Sequence, residues 1–194
     1  MRAENAGKII INKLEQELPA HLTYHNAEHT RDVHDAAKRI AGTENISAEE
    51  LDLLLAAAWY HDSGFLTCIT GHEEESCRIA MEDLPASGYS NNEITQICEM
   101  IKVTRLPQSP QNHLQQILAD ADLDYLGRKD FFIISEKLFE ELRQLGSVED
   151  RIAWDNLQVG FLEKHQYFTK TSLDCRQAQK AINLAEIKAR LHRS

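Results

Sequence analysis

Basic side chains are scarce in this sequence: 21 lysines and arginines against 31 aspartates and glutamates leave a formal net charge of −10. A duplex nucleic-acid binder needs a cationic face to displace counterions from phosphates, so that class is excluded and any phosphate site must be local. Proline and glycine are sparse too, four and eight in 194 residues, and no stretch alternates polar with apolar residues long enough to make a strand. The four cysteines, Cys68, Cys77, Cys98 and Cys175, show no C-x-x-C spacing and read as reduced thiols packed as small apolar groups. The opening residues Met1-Arg2-Ala3-Glu4-Asn5 lack the apolar run of a secretory signal. The longest apolar stretch, Leu53 to Tyr60, falls far short of the ~20 residues a membrane helix needs. The expectation is a cytoplasmic protein with no membrane partner, its oligomeric state left open.

What is present is helical periodicity along almost the whole chain. Ile10, Leu14 and Leu18 recur every four residues and stop at Pro19; Val33, Ala36, Ala37 and Ile40 line a second helix ending at Gly42. Ser47-Ala48-Glu49-Glu50 reads as a capping box that opens a third, through Leu51 to Trp59. Further helices are expected over about 73–84, around Ile94–Ile101 and Leu114–Leu118, from Phe131 to Gly146, around Trp154–Leu162 and around Ala178–Leu191. The fold class expected is all-α, one helical bundle of eight or nine helices over residues 1–194, with a functional core at about 20–130 and C-terminal helices over 128–192.

Three groups of histidines and carboxylates carry chemistry. In Tyr24-His25-Asn26-Ala27-Glu28-His29 the two histidines are four apart and share a helix face. His61-Asp62 follows directly on the apolar run, which delivers an imidazole and a carboxylate into the interior. Burial without a partner is costly there, and a metal cation resolves it. Asp120-Ala121-Asp122-Leu123-Asp124 places three carboxylates in five residues after Ile117-Leu118. Imidazole with carboxylate suits zinc, iron, manganese or nickel better than calcium, which prefers all-oxygen shells. Few protein donors leave positions open for water and substrate.

In this order the residues resemble the HD-domain superfamily of metal-dependent phosphohydrolases, whose pattern is His, then His-Asp, then a distant Asp on an all-α fold. The resemblance puts His29, His61 and Asp62 on the first three ligands and the Asp120–Asp124 run on the last. Counting from Ile117-Leu118 favours Asp122, with Asp120 as an outer acceptor or the alternative ligand. The stretch from Tyr24 to Val33 also resembles the first metal motif of cyclic-nucleotide phosphodiesterases, in which the leading histidine is the general acid; that role falls on His25. Beyond this the phosphodiesterase pattern is not followed: Ser63-Gly64-Phe65 departs from it, and no purine-clamping glutamine can be placed. Over most of its length, including Asp120–Arg128 and Trp154–Thr169, the chain looks more like bacterial "predicted metal-dependent HD superfamily phosphohydrolases".

The resemblance implies a divalent ion (Mn, Mg, Fe, Ni, Co or Zn) held by His29, His61, Asp62 and Asp122, with Asp62 able to bridge to a second ion. It implies hydrolysis of a phosphomonoester or nucleotide phosphoester, the expected partner being a small phosphorylated substrate and first of all a nucleotide. Asp62 and His25 are the catalytic candidates. His72, Lys102 and Arg105 are candidates for holding phosphate, His72 also for a second ion. Trp154, Gln158, Phe161, His165 and Phe168 form a stripe expected mainly in the core, from which Gln158 or His165 could touch substrate; Tyr125 is expected in the core. His34, His113 and His192 are expected at the surface. Two other functions share the pattern. One is a di-iron oxygenase of the same superfamily, which needs two further histidines between the doublet and the last aspartate, where only His72 and His113 stand. The other is a nucleotide-sensing module without catalysis.

Overall fold

Helix boundaries in the computed structural model, which describes residues 1–193, fall where the sequence supplies caps. Nine α-helices occur among the described residues: α1 (Arg2–Glu17), α2 (Ala27–Ala41), α3 (Ala48–Tyr60), α4 (His72–Asp83), α5 (Asn91–Val103), α6 (His113–Asp122), α7 (Phe131–Gln144), α8 (Arg151–Lys164) and α9 (Lys170–Leu191). There are no strands among those residues, and single 3₁₀ turns follow α3, α4 and α6 at Ser63–Leu66, Leu84–Ser87 and Asp124–Gly127. The capping box at Ser47 is formed: Ser47 Oγ accepts from the Glu50 amide at 3.1 Å, and Glu50 Oε2 accepts from the Ser47 amide at 2.8 Å. Ser90 and Glu93 make a second box at the start of α5. Such caps satisfy amides that have no intrahelical acceptor, worth about 1 kcal/mol each.

α3 is the central helix. Its residues from Asp52 to Tyr60 are buried on every face, because α1, α2 and α5 pack around it and α4 and α6 close the remaining sides. Each fully buried leucine, such as Leu54 and Leu55, contributes about 1.5–3 kcal/mol. This first core gathers the apolar faces of α1 to α6. A second core forms where Tyr24, Leu123, Tyr125 and Leu126 meet Phe131 of α7, Leu162 of α8 and Ile187 of α9. The turn after α6 runs hard against α9: a side chain at Gly127 would put its Cβ 2.5 Å from the Arg176 carbonyl oxygen. Asp124 in the same turn is clamped by Arg39 and by Arg176. Chemistry-bearing residues from α2, α3 and α6 thus end at the seam between the two cores.

One sequence expectation about the core is corrected. His34 is not at the surface but 4% exposed, its ring stacked on Trp59 at 4.0 Å. It lies on the inner face of α2, one residue after Val33, where an imidazole packs flat on an indole. His113 and His192 are exposed, as expected. No helix among the described residues is long and apolar enough to cross a membrane.

Candidate metal centre

α2 begins with its first metal candidate already aligned. Asn26 caps the helix by accepting from the Glu28 and His29 amides at 2.9 and 3.2 Å, which fixes His29 in the first turn with Tyr24 packed over its ring at 4.5 Å. α3 then delivers His61 at its C-terminal end, fully buried. His61 Nδ1 donates to the Ala58 carbonyl at 2.9 Å, so Nε2 is the atom left to act as a ligand. Asp122 is the last residue of α6.

The donor atoms converge. His29 Nε2 and His61 Nε2 are 3.3 Å apart, and Asp122 Oδ1 lies 3.4 and 3.6 Å from them. Asp62 Oδ2 lies 3.3 and 3.2 Å from the same two nitrogens. Donors bound to one ion at about 2.1 Å stand about 3.0–3.4 Å from their neighbours, so the set His29, His61 and Asp122 fits a divalent cation, with Asp62 against the same pair of imidazoles. The electrostatics agree. Burial presses His61 toward its neutral form, but the Asp62 and Asp122 carboxylates outweigh it and raise its pKa well above the ordinary value; His29 is raised by the same carboxylates against the same burial. Burial acts to raise the pKa of Asp62 and of Asp122, and the two histidines carry both below the usual carboxylate range. The carboxylates favour positive charge at this point, and a divalent cation would supply it in place of protons.

Asp120 is not part of this cluster. It is fully buried and accepts from the Phe168 amide (2.9 Å), the Thr169 amide (2.8 Å) and the Thr169 hydroxyl (2.7 Å). The preference for Asp122 over Asp120 therefore agrees with the geometry, as expected for side chains two apart on a helix.

His25 and His72 flank the cluster. His25 Nδ1 is bonded to Glu141 Oε1 of α7, while Glu141 Oε2 accepts from the Tyr24 and His25 amides at 2.8 and 3.0 Å. Burial acts to raise the Glu141 carboxyl, and these bonds to His25 and its backbone lower it. His72 Nδ1 donates to the Ile69 carbonyl at 3.0 Å and its Nε2 lies 3.5 Å from Asp62 Oδ1. Asp62 thus turns one oxygen to the histidine pair and the other to His72. Phe65 stacks on both His25 (4.3 Å) and His72 (4.1 Å). Gly64 makes this approach possible: a Cβ there would lie 2.0 Å from the His72 carbonyl oxygen.

The other candidates divide. Arg105 lines the cavity beside the cluster, but its guanidinium is bonded to Glu73 and Glu74. Lys102 is exposed and lies outside that lining. Of the aromatic stripe, Trp154, Gln158 and Phe161 line the cavity, joined by Tyr125, while His165 and Phe168 line a neighbouring one with Phe161. Glu141 was not foreseen. Its signal in the sequence is a carboxylate three residues after Leu138 and seven after Ile134, on the apolar stripe of its helix.

No protein-family model matches the chain, and no curated protein matches it. Among solved structures it is similar to a Lactobacillus plantarum protein, a structural-genomics target, at 19% identity and a TM-score of 0.70 over 100% of both chains. That likeness shows a shared fold.

Proposed function

We propose that the protein is a divalent-metal-dependent phosphohydrolase of HD-domain type that cleaves a phosphomonoester or nucleotide phosphoester. The observation that carries this reading is the convergence of His29 Nε2, His61 Nε2 and Asp122 Oδ1, with Asp62 against them, at the head of a cavity that His25 and His72 also line. A divalent ion bound there would supply Lewis acidity, lowering the pKa of a water toward neutrality and drawing charge from a phosphoryl oxygen. Water oxygen bonds to phosphorus, the ester P–O bond breaks, and a proton goes to the departing oxygen. His25 is placed to deliver that proton: with Nδ1 held by Glu141, Nε2 is the atom free to face the leaving group. Asp62, with one oxygen at the histidine pair and one toward His72, has the reach to serve two ions.

An oxygenase needs two additional histidine ligands. His72 is in reach of Asp62, but His113 is exposed and bonded to the Glu44 carbonyl, which argues against that chemistry. The test is metal analysis of the purified protein with a metal-supplemented screen of cyclic nucleotides, nucleoside mono- to triphosphates, alarmones and a generic aryl phosphate. The expected result is phosphate or nucleotide release, and loss of both metal retention and turnover in His61→Ala. Two irons with O₂-dependent activity, or nucleotide binding without turnover under every metal, would replace the reading with the oxygenase or the sensor.

A further inference from the structure

The cavity beside the metal cluster is about 440 Å³, and beyond His25, Asp62, His72 and Asp122 its wall is dominated by hydrocarbon. Leu126, Phe131, Leu138, Trp154, Phe161 and Leu162 are among its apolar residues. Leu106 and Leu157, 55% and 50% exposed, also line it and therefore stand at its rim. Exposed apolar side chains around an apolar cavity hold poorly hydrated surface, which an apolar ligand would cover.

Most polar side chains in that wall are already committed, Trp154 Nε1 being a buried donor without a hydrogen-bond partner. Gln158 accepts from Ser135 Oγ at 2.6 Å and donates to Asp155 at 3.3 Å. Thr104 donates to the Ile101 carbonyl at 2.8 Å, and the Tyr24 and Tyr125 rings pack against one another at 5.7 Å. A ligand whose body carries many donors and acceptors would bury them without partners, at a cost of about 1–3 kcal/mol each. Charge selects in the same direction. Arg105, the one lysine or arginine among the described lining residues, is bonded to Glu73 and Glu74, and Asp62, Asp122 and Glu73 add negative charge at the same end. One phosphoryl group can be neutralised at the histidine–aspartate cluster; a second or third would meet carboxylates and hydrocarbon.

We infer that the site accepts a phosphomonoester whose alcohol part is an apolar, ring-sized group seated among Leu126, Phe131, Trp154 and Phe161, in preference to a polyphosphate or a body with polar edges. The reaction rests on the phosphohydrolase reading; the binding preference does not. With Mn²⁺ present, kcat/KM is compared for 2-phenylethyl phosphate, glycerol 1-phosphate, AMP and ATP, the first two being primary-alcohol esters. Burying the ring favours the phenylethyl ester by about thirtyfold over the glycerol ester, expressed chiefly in KM, with AMP and ATP below it. Leu157→Arg, at an exposed rim position that tolerates a long side chain, lowers the phenylethyl preference at least about threefold and raises ATP relative to it. Calorimetric binding of 2-phenylethylphosphonate against methylphosphonate decides the cavity question without turnover. Equal binding of the two, or faster cleavage of AMP or ATP than of the phenylethyl ester, overturns the inference. Preferential binding of the phenylethyl compound with no phosphate released from any ester removes the hydrolase reading and leaves the cavity assignment standing.

Discussion

Asp120 and Asp122 are separated by one alanine and do unlike work. Asp122 offers an oxygen to two imidazoles; Asp120 holds three donors at the start of α9. Asp122→Ala is therefore expected to lose metal while the fold survives, and Asp120→Ala to keep the metal set while losing about 3 kcal/mol, because the Thr169 and Phe168 amides are left unpaired. Metal content by elemental analysis and thermal melting separate the two. Glu141 holds His25 by both its ring and its backbone amide. Glu141→Gln keeps the metal but slows cleavage of esters with poor leaving groups by about tenfold or more, with a smaller effect on good ones; equal slowing of both would remove the positioning role. The folded pKa of Glu141 lies below the ordinary 4.5, so the stability it contributes is complete above about that pH and is lost as pH falls through the folded value. The glutamine variant should show a flatter fall of Tm on the acid side, read from melts across pH 3–6 with metal absent. His25, His29, His61, Asp62 and Asp122 are legible in the sequence because each stands in a short local pattern. Glu141 is far less so: its partner is 116 residues away, and the neighbouring Glu140 makes the pair read as a solvated face.

At the scale of elements, the site depends on how α3 is joined to α4. The turn Ser63–Leu66 carries the chain from Asp62 to a point where the Gly64 backbone touches that of His72, and the Gly64 amide donates to Ser76 Oγ at 2.8 Å. Gly64→Ala forces its Cβ against the His72 backbone, and the expected cost is about 1–3 kcal/mol together with displacement of His72 from Asp62. Melting measures the first, and the chemical shift of the His72 ring measures the second. A variant that melts like the parent with His72 unmoved would refute the contact. The helices themselves are legible: apolar steps of three and four, the Ser47 box and the Gly42 stop give the extents of α2 and α3 closely. The start of α1 at Arg2 is less so, since Ala3 and Ala6 are buried without a strongly apolar pattern to announce them. His34 misleads for a related reason. A histidine beside an aspartate looks solvated until the facing residue, Trp59 on α3, is known.

For the molecule as a whole, the larger core of α1 to α6 closes around the apolar α3 and includes none of the candidate metal ligands. Removing metal with a chelator should therefore lower Tm without unfolding the protein at room temperature. Restoring it at about a hundred times Kd should add about 2.7 kcal/mol; a chelated sample already unfolded at 25 °C would contradict this. The cavity was the least legible part of all. Its wall draws on α4, on α6 to α8 and on the segments before α2 and after α3, α5 and α6, and no single stretch of sequence records that these surfaces face one another. The three bonds from Asp120 to Phe168 and Thr169 tie the two halves together. The same rod that ends in Asp122 is thereby bolted to the base of the ninth helix. An anchor and a candidate ligand thus share one helical turn, two positions apart and facing different neighbours.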